Sequence, residues 1–66
     1  MVYTFKRGQE TLTIHKEKRP NIDMMNFTVE RKDENGRVVA RNFMSGYDSD
    51  FFNLQSEAWK NGWSNR

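Results

Sequence analysis

The strongest constraint in this sequence is the pair Asn35-Gly36, set between two runs in which apolar and polar residues alternate. Asn-Gly at the tip of such runs favours a two-residue type I′ turn, because its backbone twist matches that of the flanking strands. The stretches from Ile22 or Met24 to Arg31 and from Arg37 to Met44 therefore read as an antiparallel hairpin. Its register decides which side chains face a core, since a slip of one residue turns a strand over. A two-residue turn pairs Phe27 with Met44, Val29 with Asn42 and Arg31 with Ala40, and it sets Glu30 opposite Arg41. One face then carries Met25, Phe27, Val29, Val38, Ala40 and Met44. The other carries Thr28, Glu30, Lys32, Val39, Arg41 and Phe43. A type I turn with a bulge at Gly36 would pair Phe27 with Phe43 instead. The two-residue turn segregates apolar from polar residues better and is the favoured register.

The flanking segments complete the outline. Val2 to Lys6 and Thr11 to Lys16 alternate with period two around a turn at Gly8, which reads as a first hairpin. Pro20 lies in a charged connection, where it donates to no ladder. After Ser45-Gly46-Tyr47 the period changes. Asp48 is placed to cap a helix from Ser49 to Asn61, and Asp50 suits its dipole. Phe51, Phe52, Leu54, Ala58 and Trp59 share an arc of about 160°, wide enough to pack on a sheet. Gly62 fits the left-handed residue after the helix, with Trp63 folding back and Ser64-Asn65-Arg66 as a frayed tail. The expected fold class is α+β. Two β-hairpins form a small antiparallel sheet or a partly open SH3-like barrel, covered by one C-terminal helix, in a single domain spanning 1–66.

Composition narrows the function classes. The chain has 66 residues and no cysteine, which excludes disulfides and thiolate metal sites. A lone histidine, His15, forms no histidine cluster, so neither a metal nor another cofactor is expected. Stability has to come from packing, or from a partner such as a second copy of the chain. No apolar run reaches membrane-spanning length and the start lacks a signal-peptide pattern, so a cytoplasmic location is expected. Asp48-Ser49-Asp50 is explained by helix capping, and the glycines are scattered at turns rather than gathered in a phosphate loop. With no nucleophile–base pair or tuned carboxylates, the chain does not read as an enzyme.

The element order resembles that of small archaeal chromatin proteins with an SH3-like barrel, and Met25-Asn26-Phe27-Thr28 before a glycine turn has the same local character. That resemblance implies DNA binding on the exposed face of the sheet, although the lysine content is lower here. The segment Phe27 to Trp59 is also similar in outline to the strand-strand-helix arm-binding domains of tyrosine recombinases.

Two binding surfaces follow. Net charge is +2 with a pI near 9.2, and positive charge collects on the strand half. Lys6, Arg7, Lys16, Lys18, Arg19, Lys32, Arg37 and Arg41 are candidates to neutralise phosphates of DNA or RNA, with Phe43 stacking on a base. This nucleic-acid-binding module is the first expectation. The second is a protein-interaction module using Met24, Met44, Tyr47, Phe52, Trp59 and Trp63. It would be an obligate homodimer, or an inhibitor or adaptor of a larger host protein, of the kind common among phage and mobile-element accessory proteins.

Overall fold

The computed structural model describes residues 1–65 as a four-stranded antiparallel meander followed by one helix. The strands are β1 (Val2–Arg7), β2 (Glu10–Lys18), β3 (Met25–Lys32) and β4 (Val38–Gly46), in the order β1-β2-β3-β4. The helix, α1, spans Asp50–Lys60. The sheet stays open, so of the two expected arrangements the chain adopts the sheet and not the barrel. Arg66 of the expected frayed tail lies outside the described residues. Ser64 is not frayed: it exchanges backbone hydrogen bonds of 2.7 and 2.8 Å with Lys6 on the outer edge of β1.

Alternation sorts the side chains. Tyr3, Phe5, Leu12, Ile14, Met25, Phe27 and Val29 occupy one face in cross-strand register. α1 covers that face through Phe51, Leu54 and Ala58. Phe5, Ile14 and Phe27 are the most deeply buried residues, all within 1% of full burial. Each large ring removes about 150–250 Å² from water, which compensates for the scarcity of aliphatic residues. The helix ends in a Schellman motif. Trp63 N–H donates to the Ala58 carbonyl and Gly62 N–H to that of Trp59, with Gly62 at φ 86°. This turn folds Trp63 back, as expected, and buries it in the core. The opening of the helix differs from expectation. Ser49 is the cap residue and makes no side-chain cap bond. Asp50 accepts from the Tyr47 amide at 2.7 Å. Asp48 is instead drawn away by Lys16, at 2.7 Å.

The β3–β4 turn also differs from expectation, in an instructive way. The Asp33 carboxylate accepts from the amides of Asn35 and Arg37 at 2.9 and 3.0 Å. Gly36 N–H donates to the Asp33 carbonyl, and Gly36 sits at φ 80° while Asn35 is not left-handed. This is a type I turn with a glycine bulge, favoured over type I′ because the aspartate side chain satisfies two turn amides. Left alone, this turn would pair Phe27 with Phe43. A second irregularity opposite Arg31–Lys32, where Val39 has no partner, takes the offset back out. Phe27 therefore pairs with Met44 and Glu30 with Arg41. The two bulges cancel, so the expected strand pairing holds although the expected turn does not. Val38 pairs with Lys32 and so belongs to the open face, not the core face.

Phe27→Ala should cost about 3–5 kcal/mol, comparable to the whole stability of so small a domain. Urea unfolding should find that variant largely unfolded in buffer. Asp33→Ala should cost about 1–2 kcal/mol by leaving two turn amides without their acceptor.

Candidate interaction surfaces on the sheet and at its free edge

α1 lies over β1 to β3 and leaves β4 uncovered: every residue from Val38 to Ser45 is exposed. On the side away from the helix, the open face is organised in cross-strand rows. Val2, His15, Thr28 and Phe43 form one, and Thr4, Thr13, Glu30 and Arg41 the next. Lys6, Thr11, Lys32 and Val38 form a third. Phe43 is 73% exposed at the end of its row. Beside it lies a shallow depression of about 380 Å³ bounded by Glu17, Asn26, Thr28 and Ser45. On the helix side, Asn42 and Met44 form one wall of a groove of about 300 Å³, with Leu54, Glu57 and Asn61 opposite.

The candidate phosphate contacts are dispersed. Lys6, Lys32 and Arg41 share the open face with Phe43 and its rows, and Arg37 stands at the adjoining turn. Arg41 is ion-paired with Glu30 across the β3–β4 ladder. Lys18 is exposed at the end of β2, opposite Met25, and Arg19 follows it into the connection. Arg7 is on the helix side. Its guanidinium stacks 4.2 Å from the Trp63 ring centre, donates to the Asn61 carbonyl at 2.9 Å and contacts Glu10 at 3.2 Å. It therefore ties β1 to the carbonyl end of α1, where a cation is favoured. Lys16 is also on the helix side, within 6 Å of the Tyr3 and Phe51 rings, 5.8 and 5.6 Å respectively. Its hydrogen bond to Asp48 raises its pKa above the ordinary 10.5. Among the described residues, Lys6, Lys18, Arg19, Lys32 and Arg37 form no ion pair.

The candidate protein contacts divide as well. Trp63 is buried, only 6% exposed, so it is a core residue and not a contact. Met24 is half-buried in the connection just before β3. Trp59 donates its indole N–H to Asn65, which also bonds Gln55. Asn65 follows the Ser64 bridge to β1, so Phe52, Gln55 and Trp59 form the helix flank nearest the β1 edge. Met44 and Tyr47 lie at the opposite side, with Phe43 and Val39. Of the β4 residues, sequence reasoning named Arg41, Phe43 and Met44 and missed Val38, Val39 and Asn42. Val39 and Asn42 become significant only once the helix is seen to stop short of the last strand.

His15 contacts Glu17 at 3.1 Å, and no group of three or more metal-ligating side chains occurs among the described residues. No described helix is long and apolar enough to cross a membrane. No family model, curated protein or solved structure matches this chain.

Arg7→Ala should destabilise the domain by about 1–2 kcal/mol through the lost stacking and capping contacts. Lys18→Ala should change stability by less than about 0.5 kcal/mol in the same urea titration. The raised pKa of Lys16 means that its ionised form favours the folded state. That contribution is present below the ordinary pKa of 10.5 and is lost as pH rises through the folded value. The stability gap between wild type and Lys16→Met should be constant from neutral pH to 10.5, where Asp48 is ionised, and shrink above it.

Proposed function

We propose that this chain is a non-enzymatic protein-interaction module whose contact surface is β4 and the residues beside it. The observation that carries this reading is the exposure of β4 along its length, with Val38, Val39, Phe43 and Met44 presented to solvent and Tyr47 just beyond. The only charge in that strand, Arg41, is already neutralised by Glu30. An exposed apolar strand with little net charge suits a protein partner, because burial of its rings and methyl groups supplies the affinity.

Nucleic-acid binding is the second reading, supported by Phe43 on the open face together with Lys6 and Lys32. It is weaker, because Arg7, Lys16 and Arg41 are engaged within the chain and Glu17 borders the depression beside Phe43. Counterion release from a nucleic acid needs several free cations on one surface.

The test pairs two measurements. In fluorescence anisotropy at low salt, single- and double-stranded oligonucleotides should bind no more tightly than roughly 10⁻⁴–10⁻⁶ M, the range of non-specific electrostatic association. Immobilised wild-type protein should retain a protein from its source cells, and Phe43→Asp and Val39→Asp baits should lose it while remaining folded. Tight oligonucleotide binding that falls steeply with salt, is abolished by Lys6→Glu and Lys32→Glu and is untouched by Val39→Asp would overturn the reading in favour of the second.

A further inference from the structure

β4 has a neighbour on one side only, and the turn fixes which way its backbone groups point. The Asp33 amide donates to the Arg37 carbonyl, so Asp33 directs its backbone groups towards β4. These groups alternate in direction along an antiparallel strand. Arg31, Val29 and Phe27 therefore also address β4, and their partners Ala40, Asn42 and Met44 answer them. Arg41, Phe43 and Ser45 are left with N–H and C=O directed outwards along the free edge. Among the described residues no backbone hydrogen bond reaches that edge, whereas β1 has its outer edge partly closed by Ser64.

Edges are usually blunted by lysine, proline, an inward charge or a distortion. From Val38 to Gly46 the sequence has no lysine and no proline, and its only arginine is neutralised. The bulge at Val39 disturbs only the end next to the turn. We propose that the occupant of this edge is a second copy of the chain. The two β4 strands pair antiparallel about a two-fold axis at Asn42, joining both sheets into one. The proposal rests on the reading of β4 as a protein-contact strand and names the partner.

The strand's own side chains select that partner and that register. Outward groups must meet outward groups, so the axis passes through a residue and not between two. With the axis at Asn42, Arg41 lies opposite Phe43 of the partner subunit, a cation beside a ring. Ala40 lies opposite Met44 of the partner subunit, small against long, and the two Asn42 amides face each other with a donor and an acceptor each. An axis at Arg41 would crowd two guanidinium groups together and lose the contact of Arg41 with Phe43, and one at Phe43 would set Asn42 against methionine. Because Glu30 neutralises Arg41, two copies approach without charge repulsion along the edge. A 66-residue chain without disulfides also belongs to the size class for which association commonly completes the stability.

Sedimentation equilibrium on the full chain should give twice the monomer mass, and Phe43→Pro, which removes an outward N–H, should weaken association at least ten-fold while circular dichroism stays unchanged. The chain has no cysteine, so single cysteines report the register. Asn42→Cys should form an intermolecular disulfide under mild oxidation, because directly opposed residues without backbone bonds bring their Cα atoms within disulfide reach. Phe43→Cys and the helix control Ser56→Cys should link far more slowly. A monomer at every concentration overturns the proposal, as does a dimer in which Asn42→Cys links no faster than these controls. If the protein is monomeric yet the β4 variants still lose a captured partner, self-pairing alone fails. If they lose nothing, the protein-contact reading fails with it.

Discussion

One helix is not wide enough to cover four strands, and the rest of the structure follows from that mismatch. A helix with its side chains is about 10–12 Å across, while strands in a sheet are about 4.8 Å apart. α1 therefore shields the apolar face of β1 to β3 and no more. Phe5, Ile14 and Phe27 lie on those three strands and are the most deeply buried residues. β4 completes the hydrogen bonding of β3 but has no layer above it. Its exposure is a consequence of the proportions of the chain, and it is where a partner has most to bury.

The register of β4 is the second determinant. Had the glycine bulge at the turn gone uncorrected, Arg41 would have faced the helix side and Phe43 would have met Phe27. The bulge at Val39 restores the pairing in which Arg41 meets Glu30 on the open face and Phe43 stands outside. Placing Arg41 beside its counter-charge Glu30 on the open face is what the second bulge achieves. Fold and surface chemistry are therefore set by the same local irregularity. Asp33 also matters at a distance: by selecting the turn type it makes the compensating bulge necessary.

Much of the fold was legible in the sequence because the signals were local. Alternation marked the strands, the change of period marked the helix, and Gly62 marked its end. The details that escaped were competitions between neighbours. Asp33 overrode the usual preference of Asn-Gly, and Lys16 withdrew Asp48 from the helix cap. The basic residues could be counted but not placed. Arg7 and Lys16 serve the packing of the helix, and no periodicity distinguishes a cation that braces a helix end from one that waits for phosphate. The exposed edge was the least legible feature, since it depends on how far the helix reaches across the sheet.

The central claim is that the outer edge of β4 is unpaired within one chain and paired between two. Amide hydrogen exchange at several protein concentrations tests it most directly. Exchange at Arg41, Phe43 and Ser45 should slow as concentration rises, while Ala40, Asn42 and Met44, bonded to β3, are protected throughout. Fast exchange at Arg41, Phe43 and Ser45 at every concentration would contradict the account.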